Sequence, residues 1–343
     1  MKTEKLNPKM LTLAREARGY SQMELSQQAG VSRSNISRFE QENLMLSDGF
    51  IESILKTLQF PFSILTTDTD ILPPAFYRRR DNVPMKTLTQ IDANINLYQM
   101  NISRLLNAIQ WEVPKLPLLP ISETGSPNES ATKLRKLWKL PKGTIEHLTE
   151  VLEAHGFLIV VVDFNTDRVD SRSLLIDDKY PVIFYNKNLL GDRLRFTLAY
   201  ELGHLIMHTR TQLKKVEDLS HEANVFAAEF LMPKEDIAKD FKEQVDIDLL
   251  ASLKRKWKVS MHALLYRASD LEIITDNQKR YVISKFNGLN IRRREPKELD
   301  VPIEKPKALR DIITKYRTKQ KMSTAQMAEF FHLYESDFLQ RYN

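Results

Sequence analysis

The 343-residue chain contains no cysteine. Disulfides and thiolate chemistry are therefore excluded, as suits a reducing cytoplasm. No secretory leader is expected, because the opening Met-Lys-Thr-Glu-Lys-Leu has neither a long apolar core nor a small-residue cleavage site. The apolar run at 158–162 is far too short to cross a bilayer. The expectation is a soluble cytoplasmic protein without membrane contact. Hydrophobic residues at 42% and charged residues at 28% are ordinary for such a protein, and the length allows two or three domains. The N-terminal sixty residues lack a charge excess, with eight Lys/Arg against seven Asp/Glu. Residues 279–321 instead hold fourteen Lys/Arg against five Asp/Glu, more than the net charge of +6.

Within residues 8–60, Met10, Leu13, Ala14 and Ala17 repeat at helical spacing and Gly19 ends that helix. Ser21 and Glu24 form a capping box opening a short helix through Ala29. Gly30 permits a left-handed turn, Val31 plugs it against Leu25, and Ser32 caps a third helix with Ile36 and Phe39 facing inward. A fourth helix is expected over about 48–58. Arg33, Ser34, Asn35 and Arg38 then face outward, with side chains that can bond base edges in a major groove. Residues 21–40 resemble the lambda-repressor-like (XRE) helix-turn-helix family. The resemblance implies that Gln22 holds a phosphate and that the face opened by Ser32 reads double-stranded operator DNA. The nearly neutral head implies help from a homodimer or another basic region.

Residues 67–75 read as a linker, followed by a helical pattern from Leu88 to about Ile109 that suits either chain pairing or packing on its own domain. Pro114, Pro117, Pro120 and Pro127, with Gly125 and Ser126, mark a hinge. Beyond it the pattern becomes α+β: helices over about 131–138 and 145–155, a buried strand over 157–164, a second strand over 181–185, and a long helix after Arg193.

That helix carries Phe-Thr-Leu-Ala-Tyr-Glu-Leu-Gly-His-Leu-Ile-Met-His, residues 196–208. The zinc-protease pattern H-E-x-x-H sets two imidazoles one turn apart around a general-base Glu. Glu201 and His204 fill its second and last places, and Tyr200 stands where the first His belongs. Downstream, residues 220–233 read Ser-His-Glu-Ala-Asn-Val-Phe-Ala-Ala-Glu-Phe-Leu-Met-Pro. Together with Trp138, Pro141, Asn186, Arg193, Trp257 and Arg267, these stretches resemble the ImmA/IrrE metallopeptidases over about 130–275. The resemblance implies a zincin-like fold, His204 and Glu222 as zinc ligands, Glu201 as general base, and Glu229 as a fallback ligand. By analogy with thermolysin-like sites, a peptide or protein partner is expected beside an edge strand at 181–185.

Tyr200 breaks the ligand set, since losing even a ligand's supporting partner costs about 10–100-fold in metal affinity or activity. Two readings stay open. In one, the domain is a pseudopeptidase that senses a ligand or partner; in the other, zinc is held by His204, Glu222 and either Tyr200 or His208. Otherwise His208 and His221 are surface or packing imidazoles. Residues 308–343 faintly echo the N-terminal motif, with Ser323, Met327, Leu333 and Phe338 in place of Ser21, Leu25, Val31 and Ile36. This region suits a second DNA-contacting unit fed by Arg292, Arg293 and Arg294, or a lid on the middle domain.

The expected organisation is multidomain: an all-α helix-turn-helix domain at 1–66, a helical connector at 67–118, an α+β zincin-like domain at 119–275 and a basic helical C-terminal region at 276–343. The expected function is a DNA-binding transcriptional regulator. An active zinc protease that cleaves a repressor and the antitoxin of a toxin–antitoxin pair are the alternatives.

Overall fold

The computed structural model describes residues 6–42, 45–67, 71, 78–79, 82–209, 216–241 and 244–342, excluding the side chains of 216 and 217. The chain divides into two compact units, one formed by 1–112, 164–169 and 307–343, the other by 113–163 and 170–306. Most of the linker expected at 67–75 lies outside the described residues.

In the first unit, α1 (Pro8–Ala17) starts with Asn7 capping and Pro8 at its first position, where the ring costs no hydrogen bond. The predicted capping box opens α2 (Gln22–Ala29), and Gly30 turns the chain at φ 65°. Ser32 caps α3 (Arg33–Glu40) by accepting from the Asn35 amide, and α4 (Asp48–Leu58) completes the head. Leu25, Val31, Ile36, Phe39 and Leu58 are buried there. After a two-residue strand, β1 (Arg78–Arg79), comes α5 (Met85–Ala108), on which Leu88, Ile91, Ile95, Ile102 and Leu105 are buried. The Gln90 and Asn94 amides donate to the Ala17 carbonyl at 3.3 and 2.9 Å, docking α5 on the end of α1.

The second unit begins in the proline-rich segment, which contains α6 (Ile121–Thr124). Ser126 caps α7 (Pro127–Leu137), so this helix begins four residues before its expected start. The helix expected at 145–155 is α8 (Leu148–Ala154). Its start is late because the Ile145 and Glu146 carbonyls accept from the Arg195 guanidinium instead. Three strands follow: β2 (Leu158–Val162), β3 (Val169–Ile176) and β4 (Tyr180–Asn186).

The strand at 181–185 is a centre strand, which corrects its expected role as an open edge. β4 pairs parallel with β2 and antiparallel with β3, and all seven of its residues are buried. A strand hydrogen-bonded on both sides cannot add a peptide as a new strand. β3 escaped the sequence reading because Val-Asp-Ser-Arg-Ser is too polar to read as an apolar run.

Helices α9 (Gly191–Met207) and α10 (Val216–Leu231) pack closely, and Gly203 is what allows it. A Cβ at Gly203 would stand 2.9 Å from the Phe226 ring. Helices α11 (Lys234–Ile237), α12 (Ile247–Trp257), α13 (Met261–Asp270) and α14 (Asp276–Gly288) close this core. An extended segment then crosses the start of α9, where a Cβ at Gly191 would lie 2.1 Å from the Val301 carbonyl oxygen. Buried ion pairs hold that segment: Lys254 with Asp192 and Glu295 at 2.5 and 2.6 Å, and Arg195 with Glu304.

The expected C-terminal region is therefore shared between the units. Helix α14 stays with the second, whereas α15 (Ala308–Gln320), α16 (Thr324–Phe330) and α17 (Glu335–Tyr342) return to the first. No described helix is long and apolar enough to cross a membrane.

Candidate functional site

In the head, Ser32, Arg33, Ser34 and Arg38 are exposed and Asn35 partly so, on the outer face of α3. The face stays outward because Ile36 and Phe39, on the opposite side, are fully buried. Gln22 stands at the first turn of α2 and donates to Glu40 at 2.7 Å. Glu40 also receives the Arg15 guanidinium at 2.6 and 3.1 Å, so one buried carboxylate ties α1, α2 and α3 together. The Gln22 amide thus orients within the fold and keeps a second N–H to offer a phosphate. The capping carboxylate of Glu24 is held down to about 2 by hydrogen bonds from Lys86 and from Ser21.

In the second unit the peptidase-like motif lies on α9, and nearly all of that helix is buried. Glu201 is 3% exposed and faces β3. Its two carboxylate oxygens accept from the Ser171 and Ser173 hydroxyls, both at 2.5 Å. Residues two apart on a strand share a face, so one strand supplies both hydroxyls. Hydrogen bonds of this kind fix the direction of the carboxylate.

Tyr200, 4% exposed, donates its hydroxyl to Ser220 on α10 at 3.2 Å. Its ring meets His204 edge-on at 4.6 Å, and His204 meets His208 in the same way at 5.0 Å. This ladder follows from the four-residue spacing of the three rings along one helix face. The Nδ1 atoms of His204 and His208 are 2.9 Å apart, and His208 Nε2 lies 2.9 Å from a Glu222 carboxylate oxygen. One neutral arrangement satisfies both contacts: His204 donates to His208, and His208 donates to Glu222.

The structure thus brings Tyr200, His204, His208 and Glu222 into one chain of contacts linking α9 to α10. Glu229 is placed elsewhere. It pairs with Arg267 on α13 and accepts the Lys234 amide at 3.2 Å, which ties three helices together. His221 is exposed. Ser171 and Ser173 were missed in the sequence; a Ser-x-Ser pair between two apolar strands was the available signal. A cleft of about 420 Å³, within the usual range for small-molecule pockets, is lined by Leu118, Pro120, Glu123, Ile206 and Met207 at the far end of α9.

A His₂Glu zinc centre needs three donors directed at one point. The first donor here is a phenol, and the two remaining ones, His204 and Glu222, are both turned to His208. Among the described residues, no three His, Asp or Glu side chains are grouped so as to hold a metal ion. As placed, these side chains bond to one another across α9 and α10.

Two family models match the chain, a helix-turn-helix domain over residues 10–62 and an IrrE N-terminal-like domain of the M78 peptidase family over residues 152–269. No curated protein matches it. The chain therefore joins an XRE-like helix-turn-helix to a metallopeptidase-like domain, as a DNA-binding regulator with a peptidase-like part.

Proposed function

We propose that the chain is a sequence-specific transcriptional regulator whose IrrE-like domain works as a pseudopeptidase sensor. Ser32, Arg33, Ser34, Asn35 and Arg38 enter the major groove of an operator, Gln22 takes a flanking phosphate, and two chains bind as a homodimer. Arginine forks and the asparagine amide suit guanine and adenine edges. A nearly neutral head gains the phosphate contacts it lacks from the second chain.

The observation that carries the sensor reading is the state of Glu201. A general base must reach a water or substrate proton, and each oxygen of this carboxylate is already engaged by a serine hydroxyl, Ser171 or Ser173, beside a tyrosine in a ligand position. A peptide, partner or small molecule acts through this domain only by binding one arrangement of it better than another. The cleft at the far end of α9 is the candidate for the small molecule.

The rival reading, an active zinc protease, draws on the retention of Glu201, His204 and Glu222. Operator selection tests the DNA role, and a cleavage assay separates the two. Arg33→Ala and Arg38→Ala should each weaken binding to a duplex selected by the full chain, while Glu201→Gln leaves that binding unchanged. A Glu201-dependent cleavage of a co-expressed repressor would favour the protease.

A further inference from the structure

We propose that residues 308–342 are a second helix-turn-helix module whose partner is the DNA-binding head of the same chain, not DNA. The assignment of the head to DNA rests on the function proposed above; the docking of the module does not.

The module repeats the head's frame, each feature lying 302 positions after its counterpart. Left-handed residues follow the first helix in both, Gly19 at φ 75° and Lys321 at φ 54°. A complete capping box opens the second helix in both, Ser21 with Glu24 and Ser323 with Gln326. The turn pivots on Gly30 at φ 65° in one and His332 at φ 52° in the other. The next residue is a buried plug, Val31 or Leu333, and Ile36 corresponds to the buried Phe338. Helix α3 starts at Arg33 and α17 at Glu335.

The chain contains an internal control. Helices α12 and α13 share the pivot (Lys258, φ 56°), the plug Val259 and a capping serine, Ser260. A left-handed turn with an apolar plug is thus a general way to join two helices. In that hairpin the position corresponding to Arg33 is Met261, buried at 1% exposure. Unlike that hairpin, 308–342 repeats all three helices and keeps the reading face open, with Tyr334, Glu335, Ser336, Leu339 and Gln340 exposed.

The chemistry of that face is wrong for DNA. Where the head has Arg33, Asn35 and Arg38, the module has Glu335, Asp337 and Gln340. Two carboxylates in place of donors repel the phosphate backbone and lose the purine contacts.

One of these positions, with the end of α17, holds the head instead. Asp337 pairs with Arg18 at the end of α1. Arg18 also donates to the Leu58 and Gln59 carbonyls at 2.8 and 2.9 Å, so α17 is tied to the ends of α1 and α4. Arg341 donates to Asn94 at 2.8 Å, and Tyr342 meets Tyr98 edge-on at 5.3 Å, completing the seat on α5. Each chain then offers DNA a single reading helix.

Hydrogen exchange on the full-length chain tests the docking without any DNA. Asp337→Arg should raise amide exchange over 335–342 by about tenfold, and adding Arg18→Asp should restore protection. If Arg18→Asp disturbs the head, Asp337→Asn should still give an intermediate rise. Unchanged exchange in both Asp337 variants would overturn the docking.

The second arm uses the tightest duplex that the full chain selects from random-sequence DNA. Replacing Glu335, Ser336 and Gln340 together by alanine should hold its affinity within about twofold, against a loss of about 5–150-fold for Arg33→Ala. A loss of tenfold or more in the triple variant would show that the module reads DNA. Failure to select any duplex would count against the head's proposed role and leave the exchange result standing.

Discussion

The reading helix α3 and the motif helix α9 both present charged side chains on a helix face, but they spend them differently. On α3 the polar groups stand in solvent over a buried apolar side. On α9 they are engaged with neighbouring elements: Glu201 with β3, and Tyr200 and His208 with α10. An outward polar face awaits a partner of matching chemistry, whereas an inward one is already part of the fold. The difference suits the proposed function, with recognition on the first and cross-bracing on the second.

The comparison breaks most readily at Glu201. If the carboxylate is a brace, Ser171→Ala with Ser173→Ala removes two hydroxyl donors from a buried carboxylate and should cost the second unit about 3–5 kcal/mol in chemical denaturation. A change below about 1 kcal/mol would mean that the serines are bystanders.

The joint between α5 and α16 offers a pH test in the first unit. His332 accepts from Arg104 and from Thr67, the latter at 2.8 Å, with its ring neutral. Burial, with the nearby Arg104 charge, lowers its pKa from 6.5 to about 4. The unfolded chain then binds more protons than the fold between those values. Stability should be complete above about pH 6.5 and fall by up to about 3 kcal/mol as the pH approaches 4. Urea midpoints across that range, absent the drop in His332→Asn, provide the check.

On α3, Arg33→Ala and Arg38→Ala should each cost about 1–3 kcal/mol in sequence-specific binding, with the thermal midpoint nearly unchanged. Equal losses on selected and random duplexes would reduce these arginines to phosphate contacts. The smallest effect belongs to the cap: Ser32→Ala should cost the head about 1 kcal/mol, seen as a lower unfolding midpoint.

The head was legible almost residue by residue because its signals are local. The capping box, the glycine pivot and the plug each act within four residues, and the helices start where those signals lie. The domain around α9 was legible as a motif but not as a site. Nothing near Glu201 in sequence indicates that its partners come from residues 171 and 173, since the unbroken polar run Asp170 to Ser173 reads as a loop. The placement of 181–185 failed for a related reason, because an apolar run shows burial but not which strands lie on either side. The C-terminal echo gained meaning only from the fold. Positive φ at Lys321 and His332 is invisible in residues that seldom adopt it.

The central claim is that the α9 centre is closed by its own hydrogen bonds. It is tested most directly by elemental analysis of the full-length protein purified without chelator, beside Tyr200→His. The account predicts well under one zinc per chain for the natural sequence, and at least about tenfold tighter zinc binding for the variant. One zinc per chain in the natural protein, lost in His204→Ala, would contradict it.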